Sequence, residues 1–409
     1  MVAQKKLGVT DPDEWNEPLL PAIPNTNTDA YTHTHTNTQT HTHTNTHTHT
    51  HQASSRSKRG DAREFFLSRE RNLSLSVLLL LGCFSALLVP AYLPSGTPLW
   101  TNDSTPAANK ALLDHSAALL EGVCLRGRSR SRLGSVPFAD RLSEVGVFLQ
   151  SEEAGPWELG PPLGLRGVGQ TLKDALSTLT ESGLPPQLNG STCRRCAVVG
   201  SGGVLHGSQL GAHIDQHDII IRMNNAPVFG FERDAGSRTS IRLLYPEGAP
   251  LLEREYQNTS LLALVPFKAL DLYWLSSVVA RTPLSWWSRL WFWRQVVENV
   301  PLQPRNFRIL NPDIMHRAGL VLQDYAQQPR TMVPTLGVCA VVMALQVCDE
   351  VSLAGFGYDL QHPASRLHYY ETLRMGAMAT QVVHDVGAET RFLRQMVKVG
   401  VVNDLTGAI

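Results

Sequence analysis

Residues 73–93 form an uncharged, largely apolar stretch, LSLSVLLLLGCFSALLVPAYL, directly after an arginine-rich segment. A helix of about twenty apolar residues spans the hydrocarbon layer of a membrane, which is roughly 30 Å thick. A buried core helix is the alternative, but the basic flank on one side favours a membrane span. Because basic flanks stay cytoplasmic, we expect residues 1–72 in the cytosol and everything after residue 93 in the lumen. The sequence therefore predicts a type II, single-pass membrane protein rather than a cleaved signal peptide.

The segments on either side of this stretch differ in composition from a folded domain. Residues 26–51 consist mostly of alternating Thr with His or Asn, which predicts a disordered tail. A metal-binding histidine tract is one interpretation of this tail, and a translated nucleotide repeat without function is the other. Residues 94–118 are rich in small and polar residues and are typical of a stem. We expect one folded lumenal domain over residues 119–409, and a formal net charge of zero gives no basic excess for binding nucleic acid.

Five cysteines follow the predicted membrane span, in a compartment where disulfides persist. Cys193 and Cys196 form a CxxC pair, for which a zinc site, a redox pair and two separate disulfides are the alternatives. No second pair follows at zinc-ligand spacing, and the CxxC precedes a strand rather than following one. We therefore interpret the two cysteines as halves of two structural disulfides. Three sequons for N-glycosylation lie on the lumenal side: Asn102, Asn189 and Asn258.

Apolar runs and helical patterns alternate through the lumenal part. The runs that predict strands are CAVVG, DIIIRMN, LLALVPF, FRILNP and EVSLAGFG. The stretches that predict helices are GSQLGAHIDQ, RLWFWRQVVENV, LGVCAVVMALQVC and ETRFLRQMVKVG. Such alternation predicts an α/β domain with a mostly parallel sheet.

Glycines and histidines mark a candidate site in this domain. The cluster Gly200–Gly203 lies where a strand passes to a helix, a place that can hold a phosphate or serve as a plain turn. A second glycine pair, Gly355 and Gly357, follows another predicted strand. His368 and His384 come after it, and imidazoles near the carboxyl edge of a sheet can supply a general base and a phosphate contact. Structural histidines are the alternative.

Four stretches, in order, carry a resemblance to a known family. They are CRRCAVVGSGG continuing to RLLYPEGAP, VPTLGVCAVVMALQVCDEVSLAGFGYD, HYYE and HDVGAE. They resemble the large, small, third and very-small sialylmotifs of eukaryotic sialyltransferases, from about Cys124 to the C-terminus. The resemblance implies a Rossmann-like variant of the GT-A fold in a Golgi enzyme. It also implies inverting transfer of sialic acid from CMP-sialic acid to the 3-hydroxyl of a terminal galactose.

Within the family the chain resembles the α2,3 branch, which favours lactosylceramide as the acceptor. N-acetyllactosamine glycans and galactosylceramide are the alternatives. The resemblance assigns His384 as the base and His368 as the hydrogen-bond donor to the departing CMP phosphate. It assigns the donor contacts to Ser201, Asn224, Gly337, Gly355, Phe356 and Gly357; Ser201 stands where many members carry asparagine.

The resemblance further implies two disulfides, Cys196 with Cys348 and Cys124 with Cys193, and leaves Cys339 as a free thiol. No metal or other cofactor is expected, because the lumenal part has no Asp-x-Asp motif and CMP offers a single phosphate. Expected partners are CMP-sialic acid, a galactose-terminated glycolipid or glycan, the Golgi membrane, and a second copy or another glycosyltransferase.

The stretch WWSRLWFW, residues 286–293, concentrates four tryptophans beside Arg289 and Arg294. Tryptophan and arginine in this arrangement are typical of a membrane interface and would favour a lipid-linked acceptor. The alternative is that Trp286, Leu290 and Trp293, at helical spacing, pack into the core.

Overall fold

A computed structural model of the chain describes residues 106–142, 144–150, 157–189, 192–328, 332–380 and 383–409. Within these ranges, no helix is long and apolar enough to cross a membrane. The predicted cytosolic tail and the predicted membrane span lie outside the described residues.

A single seven-stranded sheet organises the described chain. Its strands are β1 Arg195–Val199, β2 Ile219–Met223, β3 Thr239–Leu244, β4 Thr259–Leu264, β5 Phe307–Ile309, β6 Glu350–Ala354 and β7 Val402–Asp404. The strand order is β5-β4-β3-β2-β1-β6-β7, and every neighbouring pair is parallel. Because both faces of a parallel sheet are covered, its strands are continuous apolar runs, as the buried Ile219–Met223 illustrates. The predicted α/β class with a mostly parallel sheet is confirmed.

Helices cover both faces of the sheet. The α-helices are α1 Pro106–Leu120, α2 Arg128–Leu133, α3 Gly169–Thr178, α4 Gly211–Ile214, α5 Glu232–Ala235, α6 Ala269–Ala280, α7 Trp286–Leu290, α8 Pro312–Tyr325, α9 Leu336–Val347 and α10 Val386–Lys398. Short 3₁₀ helices lie at Ala139–Leu142, Pro186–Leu188, Gly203–Leu205, Pro246–Gly248, Glu253–Tyr256, Pro304–Asn306 and Met375–Thr380.

Helix α9 is the centre of the core on one face of the sheet. Ten of its twelve residues are buried, and it lies against β1, β2 and β6. A helix that is apolar on all sides is stable only when protein surrounds it. On the other face, α3 packs against α6. The central helix thereby fixes the segment before it, Val333–Thr335, against the sheet.

The order of the predicted elements is largely confirmed, with one clear error. RLWFWRQVVENV was predicted to be a helix, but α7 ends at Leu290 and residues 291–300 contain no helix. Phe292, Val296 and Val297 of this irregular segment are nevertheless buried. The apolar spacing that resembled one face of a helix therefore belongs to a loop whose side chains pack into the core. Strands β3 and β7 were not among the predicted elements.

The first described helix packs on the domain. In α1, Asn109 Nδ2 donates to the carbonyl of Gly207 at 3.2 Å, and His115 Nε2 lies 3.0 Å from the carbonyl oxygen of Asp404. Ser116 is fully buried. The predicted stem, residues 94–118, therefore overlaps a helix that belongs to the folded unit, and the fold extends to the N-terminal side of residue 119.

Two disulfides tie the start of β1 to the rest of the fold. Cys124 bonds to Cys193 and Cys196 bonds to Cys348, which are the pairings implied by the resemblance. The Cys196–Cys348 bond links positions 152 residues apart, a closure that contributes about 5 kcal/mol in the chain-entropy model. Because Cys193 and Cys196 bond to different partners, they form neither a redox pair nor a zinc site. Cys339 is a buried free thiol whose pKa is raised by burial.

Candidate active site

The site lies at the point where the order of successive strands reverses within the parallel sheet. From β1 the strands β2 to β5 follow on one side, whereas β6 and β7 lie on the other. In open parallel sheets, ligands bind at the carboxyl ends of the strands beside such a switch point. The glycine cluster Gly200–Gly203 follows β1, and Gly355–Gly357 follows β6. The fold therefore brings together two glycine loops that are about 150 residues apart in sequence.

The two glycine loops are in direct contact. Gly200 N donates to the carbonyl of Ala354 at 2.7 Å, and Gly202 N donates to the carbonyl of Gly355 at 2.9 Å. A Cβ atom on Gly202 would lie 2.6 Å from the oxygen of Gly355, too close for any side chain. Gly355 itself has a φ of +73°, in the region that glycine adopts at little cost. These positions require glycine for packing, whatever ligand they hold.

Gly337 and Phe356 also meet at this edge. Gly337 lies in the first turn of α9, and a Cβ atom there would lie 3.1 Å from Cε1 of Phe356. Thr335 caps the helix, since its hydroxyl accepts from Val338 N at 3.4 Å. The ring of Phe356 thus lies against the N-terminal end of α9, where helical N–H groups favour a negative charge.

A short hairpin places His368 beside the first glycine loop. Gly203 N donates to the carbonyl of Leu367 at 3.0 Å, and Tyr369 N donates to the carbonyl of Ser201 at 3.0 Å. Gly202 and His368 form an isolated antiparallel bridge between these two bonds. Ser201 and His368, predicted as separate contacts, therefore lie in one small ladder.

The ring of His368 is held on both sides. Its Nδ1 pairs with a carboxylate oxygen of Glu371, and its ring stacks on Tyr370 with centroids 5.4 Å apart. Since a carboxylate only accepts, Nδ1 carries the proton and Nε2 is the nitrogen left for a ligand. Burial raises the pKa of Tyr370 to about 12, although the hydrogen bond with Ser201 opposes the shift. Tyr370 therefore stays protonated beside the glycine loop.

His384 comes directly before helix α10. The carboxylate of Asp385 caps that helix, accepting from Ala388 N at 2.8 Å. The Nδ1–H of His384 donates to the carbonyl of Val333 at 2.7 Å. Because a carbonyl cannot donate, the proton is on Nδ1, and Nε2 of the neutral ring keeps its lone pair. Burial lowers the pKa of His384 below 6.5, while the bond to Val333 opposes the shift. The ring is thus neutral near pH 7 and can accept a proton at Nε2.

A buried carboxyl group locks the two segments around His384 together. Glu389, on α10, accepts from Thr335 N at 2.6 Å and from Thr335 Oγ1 at 2.7 Å. Burial raises the pKa of Glu389 to about 7, whereas both bonds to Thr335 lower it. This pair joins α10 to the start of α9 and so fixes the carbonyl of Val333 opposite His384.

Asn224 stands at the carboxyl end of β2, next to β1. Its φ is +50°, and its carbonyl accepts from Nη1 of Arg242 at 2.7 Å. The side-chain oxygen of Asn224 is buried, and none of the described residues donates to it. A buried acceptor without a partner is costly, so this oxygen is suited to receive a hydrogen bond from a ligand.

Comparison with known proteins supports the family that this geometry suggests. The model of glycosyltransferase family 29 (sialyltransferase) matches residues 148–401, which include both glycine loops and both histidines. The chain belongs to the sialyltransferase family.

Relatives of this sialyltransferase share close to half of its sequence. It is 48% identical over 255 residues to the human lactosylceramide alpha-2,3-sialyltransferase, covering 61% of this chain and 61% of the relative. It is 47% identical over 314 residues to the Mus musculus protein of the same name, covering 74% and 76%. A second Mus musculus relative, CMP-N-acetylneuraminate-beta-1,4-galactoside alpha-2,3-sialyltransferase, is 40% identical over 297 residues, covering 71% and 78%.

Solved structures of mammalian sialyltransferases are similar to the structure of this chain. A crystal structure of a mammalian sialyltransferase matches with a TM-score of 0.54 and 27% identity, covering 69% of this chain and 97% of that one. A mammalian sialyltransferase in complex with Gal-beta-1-3GalNAc-ortho-nitrophenol matches with the same TM-score and 25% identity, covering 69% and 98%. The sialyltransferase fold is thereby shown for the described part of the chain.

Several residues of this sialyltransferase site were not predicted to act in it. Glu371 lies inside HYYE but had no assigned part, and Val333, Thr335, Glu389 and Arg242 were not singled out. A threonine directly before the apolar run LGVCAVV is an N-cap signal, so the start of α9 could have been found. The Glu389–Thr335 pair leaves no such signal, because its partners are 54 residues apart.

Two of the three predicted N-glycosylation sites lie within the described residues. Asn189 and Asn258 are exposed, whereas Asn102 lies outside the described residues. The side-chain amide of Asn258 donates to the carbonyl of Ser237 at 3.3 Å.

Proposed function

We propose that this sialyltransferase moves sialic acid from CMP-sialic acid to the 3-hydroxyl of a terminal galactose, with lactosylceramide as the favoured acceptor. In this reaction the galactose oxygen forms a bond to C2 of sialic acid while the bond from C2 to the CMP phosphate breaks. The hydroxyl proton passes to the enzyme and CMP leaves as the phosphate anion. Attack from the face opposite CMP inverts the configuration at C2.

His384 is the proposed base, and its tautomer is the single observation that carries this assignment. A base must be neutral and must present a lone pair to the hydroxyl. Because Nδ1–H donates to Val333, the free lone pair is on Nε2. The lowered pKa of His384 keeps the ring neutral near pH 7.

His368 is the proposed donor to the departing phosphate. Its Nδ1 is held by Glu371, so Nε2 is the ring nitrogen left to contact an anion at the glycine loop. Developing negative charge is stabilised best by donors that are already in place. The proposed contacts to the donor are Ser201, Asn224, Gly337, Gly355, Phe356 and Gly357.

The acceptor preference rests on sequence likeness. Five relatives named for lactosylceramide are 42–48% identical to this chain, against 40% for the relative named for β-1,4-galactosides. Glycans ending in N-acetyllactosamine are therefore the second candidate, and galactosylceramide is the third. A lectin-like protein without turnover would not need a base, so the neutral His384 favours an enzyme.

The remaining features of the proposal follow from the family. We propose a Golgi enzyme of type II topology on a variant GT-A fold, with a cytosolic tail over 1–72 and a membrane anchor over 73–93. A stem would cover the residues before α1, and N-glycans would occupy Asn102, Asn189 and Asn258. Transfer would need no metal, and a second copy or another glycosyltransferase would be the protein partner.

The acceptor assignment is tested by supplying CMP-sialic acid with lactosylceramide, galactosylceramide and an N-acetyllactosamine glycoprotein in parallel. We expect the highest kcat/KM for lactosylceramide and an α2,3 linkage in the product, determined by linkage-specific sialidase digestion. A higher value for the glycoprotein would replace lactosylceramide with the second candidate. Transfer to none of the three would overturn the proposed function.

A further inference from the structure

Four tryptophans and a leucine form an exposed surface on α7 and the turn after it. This surface, called the aromatic patch, consists of Trp286 at 61% exposure, Trp287 at 61%, Leu290 at 64%, Trp291 at 76% and Trp293 at 42%. No residue of α7 is buried. The expectation that Trp286, Leu290 and Trp293 pack into the core is therefore wrong.

The chain does bury aromatic residues where a core is available. Trp274 is fully buried, and its Nε1 donates to the carbonyl of Val297 at 2.7 Å. Phe292, within the patch segment, is buried, and the ammonium of Lys268 lies 5.1 Å from its ring centroid. Phe292 thus attaches the segment to the domain, while its tryptophan neighbours stay in solvent. Contiguous exposed aromatic surface of this kind marks an interaction site.

The charges around the patch favour a lipid surface. Residues 281–294 contain three arginines and no acidic residue. Arg289 pairs with Glu298 at 2.8 Å, and the guanidinium of Arg294 lies 5.5 Å from the ring centroid of Trp293. Tryptophan is enriched at membrane–water interfaces, and guanidinium groups bind phosphates with two parallel hydrogen bonds. Aromatic rings with adjacent arginines therefore suit a layer of phospholipid headgroups.

Arg294, next to Trp293 of the patch, is within electrostatic range of the proposed active site. The positive charge of Arg294 acts on Tyr245 and Tyr370, where it opposes the rise in pKa that burial causes in both phenols. Tyr370 is the residue that stacks on His368 and hydrogen-bonds Ser201. A surface that holds the patch would thus lie on the side of the domain where Arg294 and Tyr370 interact.

We propose that the aromatic patch docks on a phospholipid bilayer and presents the active site to acceptor sugars carried by lipids in that bilayer. This inference rests on the proposed function, because it explains how a membrane-held galactose reaches the site. With the proposed anchor at residues 73–93, the twelve residues 94–105 would keep the start of α1 within about 40 Å of the bilayer.

Docking is tested with the full chain reconstituted in phosphatidylcholine vesicles without donor or acceptor. Fluorescence of wild type is compared with that of a Trp287→Ser/Trp291→Ser variant, in plain vesicles and in vesicles of phosphatidylcholine brominated near the headgroup. Both proteins keep the same anchor, so the difference between them reports Trp287 and Trp291. We expect this difference signal to fall by at least half in the brominated vesicles. An equal signal in both vesicles would overturn the proposal.

Activity provides a second readout on the same variants. For lactosylceramide in the vesicles, we expect kcat/KM to fall at least tenfold in the serine variant and less than threefold in Trp287→Phe/Trp291→Phe. For a water-soluble lactoside, both should stay within twofold of wild type, which also shows that they fold. Val123→Ser, which removes another highly exposed apolar side chain, is the matched control and should change neither value.

Two outcomes separate the alternatives. Loss of an oligomer in the serine variant, with no quenching in wild type, would assign the patch to a second copy of the chain and overturn lipid docking. Quenching in wild type with no transfer to any galactoside would leave docking in place and reject the proposed function.

Discussion

The Nδ1–H of His384 donates to the main-chain carbonyl of Val333 at 2.7 Å, and this bond decides which ring nitrogen can take a proton. His384 precedes α10 and Val333 precedes α9, so the orientation of the ring depends on how the two helix starts are joined. Glu389 makes that junction through Thr335. The proposed chemistry at Nε2 is therefore built from main-chain geometry and one buried carboxyl group.

Glu371→Gln tests whether the carboxylate orients His368. Loss of a charged hydrogen-bond partner costs about 1.5–3 kcal/mol, so we expect kcat to fall at least about tenfold while KM for the acceptor changes little. Asp359→Asn is the matched control, because Asp359 pairs with His362 at the same three-residue spacing on the exposed surface. Steady-state kinetics would count against the assignment if both variants lost kcat equally.

Glu389→Gln should change how stability depends on pH. Burial raises the pKa of Glu389 from 4.5 to about 7 in the folded chain. A raised folded pKa gives stability that is full below pH 4.5 and is lost as pH rises through about 7. We expect the unfolding temperature of wild type to fall relative to that of Glu389→Gln between pH 5 and 8. Parallel curves for the two proteins in differential scanning fluorimetry would refute the shift.

Gly202→Ala tests the contact between the two glycine loops. The new Cβ would lie 2.6 Å from the carbonyl oxygen of Gly355, so the loops must separate. We expect CMP to bind at least tenfold more weakly by isothermal titration calorimetry. Gly134→Ala is the control, since a Cβ there meets nothing within 4 Å and its φ is −62°. Unchanged CMP affinity in Gly202→Ala would remove this loop from the donor site.

Chelation tests the proposal that transfer needs no metal. Among the described residues, no group of three His, Cys, Asp or Glu side chains could hold an ion. We expect the initial rate after dialysis against excess EDTA to match that of the untreated enzyme. A loss of activity that added Mn²⁺ or Mg²⁺ restores would show that a metal takes part.

The sheet was predictable because its signals are local. A continuous apolar run such as DIIIRMN indicates a strand that is buried on both faces. The alternation of such runs with helices indicates that the strands are parallel. The aromatic segment after α7 was not predictable, because Phe292 is held by packing against the side chain of Lys268, which lies on another part of the chain. Apolar spacing within the segment resembles a helix, but it carries no information about that partner.

The site was predictable in its motifs but not in its connections. Glycines and histidines are visible in sequence, and a family resemblance assigns them parts. The partner of His384 is a main-chain carbonyl, which any residue type supplies, so Val333 leaves no trace in the sequence. The pKa values follow from burial and are likewise a property of the fold.

The most direct measurement compares sialic acid transfer to lactosylceramide by wild type and His384→Ala, together with the pH dependence of wild type. We predict a kcat lower by about 10²–10⁴-fold in the variant, with CMP affinity within about twofold of wild type. Since the pKa of His384 is lowered from 6.5, wild-type kcat should remain above half its maximum at pH 6.5 and fall in more acidic solution. Turnover by His384→Ala at a rate near that of wild type would contradict the account.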